Sequence, residues 1–206
     1  MIPPHRDEGQ AFPIYITVVA GLLLLALAYL AVGQAAVNRS GAQTAADAAA
    51  LAAAQDERVQ LTDQWGKVLR DPEKWQDIFD GSVPLDHPGT PCRRAGQLAV
   101  LNDASLNNCS PSGLLKYRVD VQTNKSVGRS VVPGSENHKS TASAVAEVQH
   151  LCTFTPPDEG AKGDELPALT CKGGKVWHLK PDDTTGLPKP EDLFDVHLAN
   201  SPANDQ

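Results

Sequence analysis

The sequence has few aromatic residues and no excess of basic ones. Only 3 Trp, 3 Tyr and 4 Phe occur among 206 residues, against 16 Gly and 16 Pro, which argues against a large, densely packed enzyme core. Eighteen Lys and Arg oppose 25 Asp and Glu, so the formal net charge is −7. An acidic chain without a basic stripe is poorly suited to a phosphate backbone. Nucleic acid is therefore not expected as a partner.

Motifs that carry catalytic chemistry are also missing from the sequence. It contains no Gly-x-Ser-x-Gly, no Walker-type phosphate loop, no His-Glu-x-x-His and no dinucleotide-binding glycine fingerprint. The six histidines are scattered and no Cys-x-x-Cys pair occurs, so structural zinc is not expected. We therefore predict a protein that is not an enzyme and that uses no metal or cofactor.

One stretch near the N-terminus lacks charge altogether. No charged side chain occurs from Gly9 to Asn38, and the segment 11–33 is predominantly apolar. As a helix rising ~1.5 Å per residue, that segment spans roughly 35 Å, more than the ~30 Å hydrocarbon layer of a bilayer. The alternative, a cleaved secretory signal, would have a shorter apolar run and a more basic start. We predict a retained transmembrane helix at 11–33, with membrane lipid as a partner, after a cytoplasmic N-terminus at 1–10.

Cysteines are absent before the predicted span, and all of them follow it: Cys92, Cys109, Cys152 and Cys171. An even number of spaced cysteines in a segment rich in Gly and Pro is typical of disulfides formed in an oxidising compartment. Basic residues nearly balance across the span, so they do not decide its orientation. We therefore expect a single-pass protein of the cell membrane, with a cytoplasmic N-terminus and an extracytoplasmic C-terminal domain.

An alanine-rich segment at 34–58 continues from the span. Alanine is the best helix former and no proline occurs from Ile14 to Arg70, so one helix is predicted from about residue 12 to the mid-50s or beyond. Small-residue rows allow close helix packing. The segment is either a connector helix without a partner or a lateral packing surface for other copies or related helices. Asp47 lies within it and either faces solvent or pairs with Arg39 or a neighbouring subunit. The alanines of one row recur every four residues: Ala42, Ala46, Ala50 and Ala54.

Two stretches carry a resemblance to a known family. Arg6-Asp-Glu-Gly-Gln-Ala before the span, and Gln43-Thr-Ala-Ala-Asp-Ala-Ala-Ala-Leu-Ala-Ala-Ala after it, resemble the N-terminal module of TadE/TadG-like proteins. Those proteins belong to bacterial Flp, or tight-adherence, pilus assembly systems. The resemblance covers about the first 55 residues. It implies a single-pass membrane protein with a pseudopilin-like extracytoplasmic domain, which acts in the assembly of a pilus or a secretion apparatus. We expect other Tad or pilus assembly proteins as partners through helix packing, in a homo- or hetero-oligomer.

The same resemblance bears on proteolytic processing. Flp-type prepilins and TadE-like pseudopilins are processed after a glycine, with Glu and Tyr at the fifth and sixth positions downstream. Counted from Gly9, with Gln10 as the next residue, those positions are Ile14 and Tyr15. The glycine and the tyrosine match the pattern, whereas Ile14 replaces the acidic residue. Gly9 is therefore a candidate processing site, although TadG-like members generally keep their anchor.

The remainder of the chain predicts an α+β extracytoplasmic domain at 59–153 and a C-terminal extension at 154–206 that is rich in Pro and Gly and holds short strands. Residues 92–105 have helical periodicity, and Trp75, Ile78 and Phe79 suggest a short helix before them. Residues 115–122 and 141–148 alternate and predict an antiparallel pair joined by the polar stretch 124–139. The predicted fold is thus a long transmembrane helix that continues into a domain with a small antiparallel sheet.

Cysteine pairing stays open at this point, because four cysteines allow three connectivities. If the two predicted strands form a hairpin, Cys109 and Cys152 would lie level at its open end. That arrangement, which we favour, leaves Cys92 with Cys171. The local alternative joins Cys92 to Cys109 and Cys152 to Cys171.

These observations favour a structural or assembly role in a Flp/Tad-type pilus or a related secretion apparatus, without catalysis. The alternative is a membrane-tethered extracytoplasmic module that binds a cell-surface ligand.

Overall fold

A helix of 57 residues, α1 (Ala11–Lys67), is the longest element of the computed structural model, which describes residues 11–126, 137–155, 166–180 and 186–199. Its continuity follows from the sequence, because alanine and leucine are strong helix formers and its one proline, Pro13, lies in the first turn. Lys67 in the last turn complements the negative end of the helix dipole. The predicted single helix through the span and the alanine-rich segment is confirmed. The segment boundaries predicted at 10, 33, 58 and 153 remain a prediction.

Three short helices follow α1 in the part of the chain that the structure describes. A 3₁₀ turn at Pro72–Lys74 leads into α2 (Trp75–Phe79), as predicted, and α4 (Pro190–Leu193) comes late in the chain. Helix α3 (Thr90–Leu101) carries a proline in its first turn, where the missing N–H costs little. It ends earlier than the predicted residue 105, because Asp103 adopts a left-handed φ of 55° and turns the chain into a strand.

Four antiparallel strands of the described residues form the main sheet, in the order β1 (Ala104–Gly113), β2 (Lys116–Thr123), β3 (Thr141–His150) and β7 (Phe194–Leu198). The predicted pair is confirmed, with Arg118 opposite Val145. A second, smaller sheet joins β4 (Cys152–Thr153), β5 (Leu169–Cys171) and β6 (Lys175–Trp177). The described residues therefore form an α+β fold, as predicted.

Strand β1 has no signal in the sequence. It reads Ala-Ser-Leu-Asn-Asn-Cys-Ser-Pro-Ser-Gly, a composition typical of turns rather than strands. Within the described ranges it pairs only with β2, so it is an edge strand, where the missing N–H of Pro111 is tolerated. The pairing register also shifts between Leu106 and Asn108, which is the irregularity of a bulge.

Helix α1 and the main sheet pack face to face. α1 contacts β2, β3 and β7, while α3 contacts α1 and β1. Alternate residues of β2 and β3 are buried, as expected for strands that are covered on one side. These buried strand residues share one core with the alanines of α1. The largest core side chains of β2 are Tyr117, Val119 and Val121.

An aromatic cluster closes this core near the C-terminal end of α1. Neighbouring ring centroids lie 5.2–5.9 Å apart, within the range of favourable aromatic pairs. The indole N–H of Trp75 donates a hydrogen bond to the carbonyl of Val68 at 3.1 Å, so the ring is buried without an unpaired donor. The cluster joins α1, α2, β7 and the segment after β4; its members are Trp65, Trp75, Phe79, Phe154 and Phe194.

Candidate membrane anchor and packing face

The N-terminal part of α1 stands free of the domain and is apolar on all sides. None of its most apolar 18-residue window is buried, and Tyr29 is 83% exposed. Exposed apolar surface of this extent is unfavourable in water, at roughly 25 cal/mol per Å². Among the described residues, α1 is the one helix whose length and composition are sufficient to cross a membrane. This helix suggests membrane anchoring.

The same helix becomes part of the domain core from Ala42 onward. Both alanine rows are fully buried, at 0% exposure. The interpretation of these rows as a surface for other copies or related helices is therefore corrected: the chain's own sheet and α3 occupy them. Alanine suits this position because a side chain of one carbon lets a helix lie close to a sheet. The buried members of the two rows are Ala42, Ala46, Ala50 and Ala54, and Ala45, Ala49 and Ala53.

Asp47 lies beside the alanine rows at the edge of the packed face. Its carboxylate accepts a hydrogen bond of 2.7 Å from the side-chain amide of Gln43, one turn earlier on α1. This partner is on the same helix, so neither Arg39 nor a second subunit is needed to satisfy the charge. Of the two alternatives left open by the sequence, the solvent-facing one fits the contacts of the described residues.

Both disulfides join cysteines that are close in the sequence. Cys92 on α3 bonds Cys109 on β1, and Cys152 on β4 bonds Cys171, which lies directly opposite it on β5. The crossed pairing favoured from the sequence is wrong. Cys109 was predicted to lie on an extension of β2, but residues 104–113 fold back along the edge of β2 that faces away from β3. Strand β2 therefore separates Cys109 from Cys152.

A buried carboxylate lies further along the packed face of α1. Glu57 is 7% exposed, and its Oε2 atom has no hydrogen-bond partner within the described ranges. Burial raises the pKa of Glu57 to about 7. Burial also raises the pKa of Tyr117 on β2 to about 12, with further contributions from the carboxylates of Glu57 and Asp56. Glu57 was not predicted from the sequence, although it occupies a position of the buried face, four residues after Ala53.

Two grooves flank α1 where it enters the domain. The first, here called the basal groove, has a volume of about 670 Å³ and lies between α1 and the beginning of β3. The second, of about 710 Å³, lies between α1 and the α3–β1 connection, and its lining includes Tyr29, Leu30 and Lys125. The basal groove could not be predicted from the sequence, because Arg39 and Lys139 are 100 residues apart. The one feature of the sequence that points to the groove is that Arg39 is the first charged residue after the span. The polar residues of the basal groove are Arg39, Gln122, Asn137, His138, Lys139, Ser140 and Thr141.

The residues of the candidate processing site are only partly described. Gly9 and Gln10 lie outside the described residues, whereas Tyr15 lies on α1 with its ring exposed. Within the described parts of the chain, no group of three His, Cys, Asp or Glu side chains is arranged to hold a metal ion.

Taken together, the described residues define a protein with one apolar anchor-type helix built into the core of an α+β domain. Residues 9–56 match the model of the Tad family, described as "Putative Flp pilus-assembly TadE/G-like". The match covers the apolar part of α1 and its alanine rows, so the resemblance of the N-terminal module is confirmed over this range. No curated protein and no solved structure matches the chain.

Proposed function

We propose that this protein is a membrane-anchored structural or assembly component of a Flp/Tad-type pilus apparatus, of the pseudopilin type and without catalytic activity. The observation that carries the proposal is the match at 9–56 on a helix that is exposed and apolar in its first part and buried in its second. The family match links the chain to Flp pilus assembly. The change of environment along α1 supports a protein that stands on a membrane.

The proposed topology has residues 1–10 in the cytoplasm, residues 11–33 in the bilayer and the domain outside. Both disulfides lie in the domain, and all four cysteines are paired. Disulfides persist in oxidising compartments and are rare in the cytosol, which supports an extracytoplasmic domain.

Because α1 is both the anchor and the central helix of the domain, a partner that packs against the anchor would also fix the position of the domain. The alanine rows are already covered, so the proposed contacts with other Tad proteins fall on the exposed part of α1. Helices in a membrane associate through close van der Waals packing of such faces. A homo- or hetero-oligomer formed there would leave the sheet and its edge strands accessible.

The first experiment tests the topology. A reporter enzyme that is active only outside the cytoplasm, fused after residue 60, is expected to be active, and the same fusion after residue 8 is expected to be inactive. Activity of the fusion after residue 8 alone would reverse the topology and contradict the proposal.

The second experiment tests the role in assembly. Deletion of the gene is expected to abolish or reduce surface pili, and re-expression of the chain should restore them. Normal piliation after deletion, with the protein confined to membranes, would instead favour the tethered binding module. The mass of the mature protein tests processing. A mass that corresponds to a chain beginning at residue 10 would establish cleavage after Gly9, while the mass of the full chain would establish an uncleaved anchor.

A further inference from the structure

The basal groove has the chemistry of an anion site. Its described lining supplies a guanidinium, an ammonium and an imidazole, together with two hydroxyls and two side-chain amides, and it includes no carboxylate. This composition contrasts with the chain as a whole, whose net charge is −7. Cationic and neutral donors that face one cavity are the groups that bind phosphate oxygens.

The two strongest cations of the groove are not neutralised by the chain's described carboxylates. Arg39 and Lys139 are both exposed, and neither has an ion pair with a described residue. Other lysines of the domain do pair with a carboxylate at 2.6–3.1 Å: Lys67, Lys74, Lys116, Lys125 and Lys175. The charge of the groove is therefore available to a ligand.

The height of the groove above the bilayer follows from the helix. If the hydrocarbon layer ends near Gly33, Ala35 and Arg39 lie roughly 3 and 9 Å further along α1, at ~1.5 Å per residue. The headgroup region extends about 5–7 Å beyond the hydrocarbon on each side. Ala35 therefore lies within the headgroup region and Arg39 a few Å above it, so the basal groove opens next to the lipid phosphates, and the long side chain of Arg39, which points back along the helix, can reach them.

We propose that the basal groove binds the phosphate of an anionic phospholipid headgroup in the leaflet on which the domain stands. Arg39 and Lys139 supply the charge, and the hydroxyls of Ser140 and Thr141 are donors within the same lining. A lipid held there contacts both α1 and the beginning of β3, so it fixes how the domain sits on the membrane. This inference rests on the membrane anchoring of the proposed function.

The test measures lipid selectivity next to the groove. Val32 lies on the face of α1 below Arg39, seven residues earlier, and it is 70% exposed, so Val32→Trp places a fluorescent reporter there without disturbing the core. The full chain is reconstituted in vesicles of phosphatidylcholine and phosphatidylglycerol, with one or the other lipid brominated near the headgroup. The quenching of tryptophan fluorescence is measured with each brominated lipid, and the quenching of the chain that retains Val32 is subtracted. The ratio of the two corrected values gives the preference for phosphatidylglycerol.

We expect a preference of about five-fold or more, since each basic residue near an anionic surface contributes a factor of roughly five. The double variant Arg39→Gln/Lys139→Gln should bring it close to one. The control Lys172→Gln removes an exposed charge in the β5–β6 turn, next to the end of β3 furthest from the groove, and should leave the preference unchanged.

The contrary outcomes are distinct from one another. Equal quenching by the two lipids, or a preference for phosphatidylglycerol that persists in the double variant, would overturn this inference. Neither result would contradict the membrane anchoring by α1. Loss of the preference on addition of inorganic phosphate would show that the groove takes free phosphate, which also overturns it. Absence of quenching by either lipid would show that α1 is not in the bilayer, and the proposed function would fail as well.

Discussion

Replacing Glu57 with glutamine measures what it costs to bury a carboxylate on the packed face of α1. Glutamine has nearly the same shape and carries no charge, so the change isolates the ionisation of this side chain. Glu57 is well beyond the span, 24 residues after Gly33, and it belongs to the core face of the domain.

The magnitude follows from the pKa. Burial moves the pKa of Glu57 from 4.5 to about 7. Each unit of pKa corresponds to ~1.36 kcal/mol, so the folded state is destabilised by roughly 3 kcal/mol once the carboxyl is ionised in both states. Because the folded state holds the proton more tightly, this cost is absent below the unfolded pKa. It grows as pH rises from about 4.5 to about 7 and is complete above that value.

The assay is denaturant unfolding of the full chain in detergent at pH 5, 6, 7 and 8, with the disulfides intact. Trp65 and Trp75 are buried in the core, so their fluorescence reports unfolding of the domain. We expect Glu57→Gln to be close to the parent protein at pH 5 and more stable than it by roughly 3 kcal/mol at pH 8. The slope of the free energy of unfolding against denaturant concentration should be the same in both chains. Glu73→Gln, at an exposed position, is the matched control and should show no such trend.

A stability difference between Glu57→Gln and the parent chain that stays constant from pH 5 to pH 8 would refute this reasoning. It would mean that the carboxyl of Glu57 does not titrate in this window and is therefore hydrated. The lowered pKa values of Asp86, Asp120 and Glu147 do not mimic the effect, because these groups titrate below the window. Their contribution also has the opposite sign, since stability is lost as pH falls.

Three further predictions concern packing and cross-links. Ala50→Leu should destabilise the domain by about 1–3 kcal/mol, because α1 has no space for a larger side chain against the sheet. The control Ala36→Leu, on the exposed part of α1, should change thermal stability by less than about 0.5 kcal/mol. Equal losses of stability in the two variants would contradict the packing of the alanine rows against the sheet. Replacing both Cys152 and Cys171 by serine should cost about 2–4 kcal/mol in denaturant unfolding, whereas unchanged stability would show that the second sheet does not depend on this bond. Trp75→Ala should cost about 3–5 kcal/mol by the same measurement, and a loss below about 1 kcal/mol would place the ring outside the core.

Much of the architecture could be predicted because it depends on neighbours along the chain. The uncharged run and the alanine block define α1 through hydrophobicity and helix propensity, which are properties of the segment itself. The alternation in 115–122 and 141–148 likewise predicts β2 and β3, since one face of each strand is buried. The resemblance at the N-terminus rests on the same contiguous residues that the family model matches.

What covers the alanine rows, by contrast, was decided only by the tertiary structure. A row of small residues packs equally well against a neighbouring helix in a membrane or against a sheet, so its sequence does not identify its partner. The same holds for β1, whose pairing with β2 overrides a turn-like composition and carries Cys109 away from Cys152. Glu57 and the basal groove also depend on long-range docking, because burial and the approach of Arg39 to Lys139 are set by segments 100 residues apart. Local chemistry determined which elements form, and the packing of those elements determined which side chains meet.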